Sequence, residues 1–236
     1  MARVRKSHID LNDNEWNAFI NALKELRKST KKINYDSLAT IHSHHRHQGQ
    51  AHERYTFLSW HREYLFVFEE ALRSIDPVIT LPYWDWAANP ELPIKLADST
   101  EWGVTRAMKA GDTISSKRKD DVDLAMSKTT FAAFHDRING PHGAVHMQVG
   151  GVDEVTGQPL GEMADIEVSP RDVLFWLHHA YLDKLWYDWS QLNPGKLPPD
   201  GPADRNKIVA RLLPTDAFSH TSRQVFSIAD LDYTYS

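Results

Sequence analysis

Thirteen histidines and no cysteine define the chemistry available to this chain. Without cysteine there are no disulfides, no thiolate metal sites and no cysteine nucleophile, and clustered histidines then suggest an imidazole metal site. Five histidines crowd one stretch, His42, His44, His45, His47 and His52, and His61 follows soon after. His142 and His146 stand four residues apart, which on a helix places both rings on one face, able to converge on one ion. Two surface histidines reach that spacing easily by chance, so the pair alone says little. His61 and His179 say more. His61 shares a helical stripe with Leu65, Phe68 and Leu72, and His179 shares one with Phe175, Leu182, Trp186 and Trp189. A lone histidine on a buried stripe is ordinarily a hydrogen-bonded core residue. Several in one chain change that balance, because buried imidazoles without partners leave unsatisfied nitrogens, a cost that a metal ion removes. An all-imidazole site suits copper or zinc. Di-iron bundles need Glu-x-x-His pairs on facing helices, and no such pairing occurs here.

The elements that must position these rings are mostly helical. Trp16, Phe19, Ile20, Leu23 and Leu26 recur at helical spacing and predict a first helix over 13–29. A second begins near Tyr35-Asp36 and carries Leu38, Ile41 and His42, with His44 to Arg54 expected as a loop. Ser59 reads as the cap of a third helix running from Trp60 to Ser74, stopped by Asp76-Pro77. The Pro- and Trp-rich run from Leu81 to Pro93 reads as a connector, and 94–128 as a mostly polar excursion. A short helix over Phe131–Ile138 is expected to end before Asn139-Gly140-Pro141, which opens another short helix carrying His142 and His146. Gly150 to Ala164 is turn-rich. The last strong helix has Ser169 as its cap, Pro170 at its first position and Asp172 in its first turn, and runs to Leu192. Beyond Asn193 the chain is Pro-rich, with hints of short strands between Val225 and Tyr235. The expected fold is therefore mainly α: a four-helix bundle with inward-facing histidines and few short strands, formed by residues 1–236 as a single domain.

Composition narrows the function further. The formal charge of −5 gives no global basic field for nucleic acid, and Lys117-Arg118-Lys119 is a short, solvated run. No stretch is apolar enough to span a membrane. The basic start, Met1 to Lys6, is not followed by an apolar run of signal-peptide length. A cytoplasmic chain, or one exported without its own signal peptide, is the expectation. The sequence is silent on oligomeric state.

Two stretches carry a family resemblance. His52-Glu-Arg-Tyr-Thr-Phe-Leu-Ser-Trp-His-Arg-Glu-Tyr-Leu, running on to Phe68-Glu69, resembles the first copper-binding signature of tyrosinases, and Tyr35-Asp36 to Ile41-His42 is similar to the segment preceding it. Asn139-Gly-Pro-His-Gly-Ala-Val-His146, followed by Asp172-Val-Leu-Phe-Trp-Leu-His-His-Ala-Tyr-Leu-Asp183-Lys-Leu-Trp186, resembles the second. Asp232-Tyr233-Thr-Tyr235 resembles the Tyr-x-Tyr that closes the family's core domain, with no C-terminal lid domain expected after it.

The resemblance implies two copper ions, O2 as co-substrate and small phenols as substrates. It places His42, His52 and His61 on one copper and His142, His146 and His179 on the other. The family's ligand lies four residues before the helical Asp, which selects His179 over His178 and gives Asp183 the expected task of orienting the His179 ring. Met163 and Ile166 fall where the family tunes substrate access. Gly143 occupies the position where many monophenol-hydroxylating relatives carry an Asn that orients a water; Asp136 and Glu162 are the acids expected to stand in. The usual Asp-Pro of the second signature is Asp172-Val173, which a first helical turn tolerates. The implied activity is tyrosinase chemistry, converting monophenols and o-diphenols to o-quinones. Catechol or o-aminophenol oxidation alone is the alternative, and hemocyanin-like oxygen carriage a remoter one. A copper-delivery chaperone is compatible with the sequence.

Overall fold

Six helices carry the fold in the computed structural model, which describes residues 3–47, 51, 52, 55–198, 220 and 224–236. Strand β1 is Arg3–Arg5; helix α1 is Asp13–Lys28, α2 Tyr35–His47, α3 Phe57–Arg73, α4 Lys117–Met126, α5 Phe131–Gly150 and α6 Val173–Leu192; strand β2 is Tyr233–Tyr235. Helix α1 starts on a reciprocal cap: the Asn12 side chain accepts from the Glu15 N–H, and the Glu15 side chain accepts from the Asn12 N–H. Its Trp16, Phe19, Leu23 and Leu26 are buried. Helices α2, α3, α5 and α6 bring their histidines to one interior. There Phe68 and Trp176 stack with centroids 3.7 Å apart, and the Tyr64 hydroxyl donates to the Leu38 carbonyl at 2.6 Å. No helix among the described residues is long and apolar enough to cross a membrane.

Four boundaries differ from expectation. Helix α2 continues through His47, so the backbone of His44, His45 and His47 is helical; 48–50, 53 and 54 lie outside the described residues. Helix α3 starts at Phe57 with Thr56 as its cap residue, because Phe57 and Leu58 are buried and extend the apolar stripe by a turn; Ser59 lies inside, its hydroxyl donating to the Thr56 carbonyl. Phe131 to Gly150 is one helix with Pro141 inside it. Pro141 cannot donate to the Arg137 carbonyl, yet Phe134, Ile138, Pro141, Val145 and Val149 form one buried stripe through the break, and packing on that stripe outweighs the missing bond. At α6, Asp172 is the cap, accepting from the Leu174 N–H at 2.8 Å, while Ser169–Arg171 is a separate 3-10 turn. Helix α4 lies in the polar excursion and buries little beyond Val122 and Ala125, which is why its periodicity is faint. The Pro-rich expectation beyond Asn193 falls largely on 199–219, outside the described residues.

The chain's two ends meet. β1 pairs with β2 in parallel, Arg3 opposite Tyr233 and Arg5 opposite Tyr235. Beneath them lies a buried polar cluster. Arg62 Nε donates to Asp183 Oδ1 at 2.5 Å, the Tyr233 and Tyr235 hydroxyls donate to Asp183 Oδ2 at 2.6 and 2.5 Å, and Arg5 Nη2 reaches Glu69 at 2.9 Å. Burial alone would raise the Asp183 carboxyl, but Arg62, Arg5 and the two hydroxyls hold it below its ordinary value. Replacing Asp183 by Ala leaves the buried Arg62 guanidinium without its carboxylate partner and is expected to cost about 3–5 kcal/mol. Tyr235→Phe is expected to cost about 1–3 kcal/mol. Denaturant midpoints check both; an Asp183→Ala protein as stable as the parent would show that the cluster does not close the fold.

Candidate metal centre

Each histidine of the two clusters is placed by a helix, with one exception. His42 comes from α2, His61 from α3, His142 and His146 from α5, and His178 and His179 from α6; His52 comes from the segment joining α2 to α3. The rings form two compact triangles. His42, His52 and His61 have centroid separations of 5.0, 5.5 and 5.6 Å. His142, His146 and His179 have separations of 4.8, 5.0 and 5.4 Å. The triangles are adjacent: His61 and His179 lie parallel, 9° apart in plane, with centroids 4.2 Å apart. Within each cluster the potential ligand atoms lie within 4.8 Å of one another, and the second cluster also includes His178.

The donor set fits metal ions. The His61 Nδ1–H is spent on the Phe57 carbonyl at 2.9 Å, that of His142 on Asn139 Oδ1 at 3.2 Å, and that of His146 on the Met163 carbonyl at 2.8 Å. Each of these partners only accepts, so the proton stays on Nδ1 and the Nε2 lone pair points inward. Nε2 of His61 and of His142 is buried without a hydrogen-bond partner among the described residues. His42 Nε2 and His52 Nε2 approach to 3.0 Å, and His146 Nε2 and His179 Nε2 to 3.2 Å. Two imidazoles about 2.0–2.1 Å from one tetrahedral ion would show nitrogens roughly 3.3 Å apart. Nitrogens at this distance must share a proton or have a cation between them.

Five of these rings are held neutral. Burial pushes His61, His142, His178 and His179 well below the ordinary imidazole value, and neighbouring histidines add to the effect. Burial pushes His146 down to about 4, against the Met163 carbonyl. Two phenylalanines wall the site. Phe57 lies 4.6 Å from the His61 ring and 4.8 Å from His142, and Phe175 lies 4.1 Å from His179 and 5.3 Å from His42. Phe175 was legible on the His179 stripe, whereas Phe57 lies in the turn of α3 that precedes the expected helix start.

A cavity of about 200 Å³ opens onto both clusters, lined by His42, His52, His142 and His146, with Gly143, Met163 and Ile166. Gly143 leaves space there: a Cβ at this position meets nothing within 4 Å. Ile166 is 37% exposed at the mouth, whereas Met163 is wholly buried and contributes its carbonyl to His146. Asn139, Met147 and Ser169 also line the cavity, and sequence spacing did not point to them. The Ser169 hydroxyl is buried without a partner among the described residues.

Three expectations need correction or relocation. Asp183 does not orient His179: its oxygens are taken by Arg62, Arg5, Tyr233 and Tyr235, which reach it from outside α6. Glu162 accepts from the Thr105 N–H at 2.7 Å, and the exposed Asp136 lies 3.3 Å from His135 Nδ1; neither lines the cavity. Asp172 is held by Arg106 through two 2.6 Å bonds, which fixes the start of α6 without the usual proline.

The matches to known proteins follow the same lines. A family profile described as the common central domain of tyrosinase matches residues 32–122 and 95–192. The tyrosinase of Streptomyces antibioticus is 30% identical over 243 residues, covering 81% of this chain and 84% of that protein. A functional unit of octopus hemocyanin superposes with a TM-score of 0.79 at 23% identity, covering all of this chain and 68% of that one. Latent apple tyrosinase superposes with a TM-score of 0.78 at 19% identity, covering all of this chain and 62% of that one.

The depressed imidazoles fix a pH dependence. The unfolded chain binds protons below about pH 6.5 that the folded metal-free protein refuses, so stability falls as the pH drops through that value. For His146 alone, folded near 4, the loss between pH 6.5 and 5 is about 2 kcal/mol. Denaturant titrations of metal-free protein across pH 5–7 should show that decline, and His146→Phe should make it shallower by that share.

Proposed function

We propose that this chain, which belongs to the tyrosinase family of type 3 copper proteins, is an oxidase that passes electrons from o-diphenols to O2 and releases o-quinones, with monophenols turned over more slowly. In this reading His42, His52 and His61 hold one copper and His142, His146 and His179 the other. The observation that carries it is the pair of adjacent imidazole triangles, joined across the parallel His61 and His179 rings at 4.2 Å. The bound coppers supply the two-electron exchange with O2, and three imidazoles on each leave open positions for small ligands.

The protein's own residues do the rest. Phe57 and Phe175 exclude water from between the clusters. The cavity, at about 200 Å³, is smaller than the roughly 300–1,000 Å³ typical of drug-sized ligands and suits a single phenolic ring. Met147 and Ile166 at its mouth and Gly143 on its wall then set which ring substituents enter. Ser169 offers a desolvated hydroxyl to a polar group on the ring.

The preference for diphenols rests on Gly143. A monophenol must lose its hydroxyl proton to a base before it can bind as phenolate, and none of the described residues that line the cavity is a carboxylate. A catechol needs less help, since its two adjacent hydroxyls are the electron source themselves. Oxygen carriage, favoured by the likeness to the octopus hemocyanin unit, is the second reading.

Oxygen uptake by the copper-loaded protein, with catechol and with a monophenol side by side, separates these readings. The expected result is quinone from both, with catechol faster by about tenfold or more, and loss of activity in His61→Ala or His142→Ala. Gly143→Asn, which has room for its side chain, is expected to raise the monophenol rate relative to the diphenol rate severalfold. Reversible oxygenation without quinone would favour carriage instead.

A further inference from the structure

We propose that Trp86 keeps His178 out of the second copper's coordination sphere, so that this site stays at three imidazoles with a position open. The inference rests on the reading that His142, His146 and His179 hold that ion. It starts from a surplus: four buried histidines converge where three are used. A fourth imidazole would complete a tetrahedral shell, the closed arrangement of structural sites, and leave no place for O2 or substrate.

The device is one hydrogen bond. The Trp86 indole N–H, which can only donate, meets His178 Nδ1 at 2.9 Å. A neutral imidazole carries one proton, and a ring that accepts at Nδ1 carries it on Nε2. His178 then has its only lone pair engaged and a proton where a metal would bind. Its neighbours show the opposite arrangement: His61, His142 and His146 each give Nδ1–H to an oxygen acceptor and keep Nε2 free. Partner type therefore sorts the rings, an acceptor behind each of these three ligands and a donor behind the spectator.

Trp86 cannot easily turn away. It is 1% exposed, its own N–H is bonded to the Trp84 carbonyl at 2.9 Å, and its ring meets Tyr181 edge-on at 5.0 Å. The preceding Trp84 is tied to α6 itself, its N–H donating to the Leu177 carbonyl at 3.0 Å. The connector from Leu81 to Pro93 thus docks directly on the turn that presents the two adjacent histidines. His178 lies parallel to His142 with centroids 5.4 Å apart, close enough to reach the ion with a modest shift once released.

The test uses the whole chain with and without metal. Long-range nitrogen–proton NMR on metal-free protein labelled at histidine should show His178 as the Nε2–H tautomer, and Trp86→Phe should abolish that fixed state. In copper-loaded protein, Trp86→Phe should slow chelator removal of the second ion by about tenfold and lower catechol turnover by a similar factor. Trp86→Phe with His178→Phe should return the removal rate to that of the parent, and His178→Phe alone should still hold two coppers. An Nδ1–H tautomer in the parent, an unchanged removal rate in folded Trp86→Phe, or loss of one copper in His178→Phe would overturn the proposal. If the parent binds fewer than two coppers, or His179→Phe keeps both, the underlying ligand assignment has failed instead.

Discussion

The structure is organised around one electrostatic demand: neutral imidazoles packed in a dry interior with their lone pairs aimed at each other. Nitrogens 3.0 and 3.2 Å apart need a shared proton or a cation between them, and a cation can serve both pairs and the remaining inward nitrogens at once. Burial, which pushes His61, His142 and His179 well below their ordinary basicity, also keeps them ready as ligands near neutral pH. The same burial makes the metal-free protein vulnerable to acid. Stability and metal affinity are thus set by one feature, and copper binding contributes to folding as well as to chemistry.

Holding that interior in place falls to contacts made elsewhere. Helices α3 and α6 present His61 and His179 face to face, and their relative placement is fixed at the other end by Arg62 on Asp183 and by both chain termini closing over the pair. Arg106 on Asp172 anchors the start of α6. Trp86 ties the Pro- and Trp-rich connector to the histidine pair. Each contact is buried and charged or polar, so each is costly to leave half-made, and together they favour one arrangement of the six rings. The cavity above them is free to vary, since Gly143, Met147 and Ile166 touch the opening and leave the clusters' framework alone.

Much of this was visible in the sequence because the histidines lie on amphipathic stripes. The His61 and His179 stripes put those rings inside, and the 142/146 spacing put two more on one face. What escaped was whatever depended on partners distant in sequence. Pro141 looked like a helix break because local preference opposes it, while the buried stripe that carries α5 through it is a tertiary effect. Asp183 looked like a ligand's neighbour because four residues separate it from His179, but its partners arrive from residues 5, 62, 233 and 235. Trp86 gave no signal at all, because nothing in its local run says that its indole faces a histidine 92 residues away.

The decisive measurement is anomalous diffraction at the copper absorption edge from crystals of copper-loaded protein. Two peaks per chain are expected, one among His42, His52 and His61 and one among His142, His146 and His179, with His178 outside bonding distance. A single peak, or copper bound away from these rings, would contradict it.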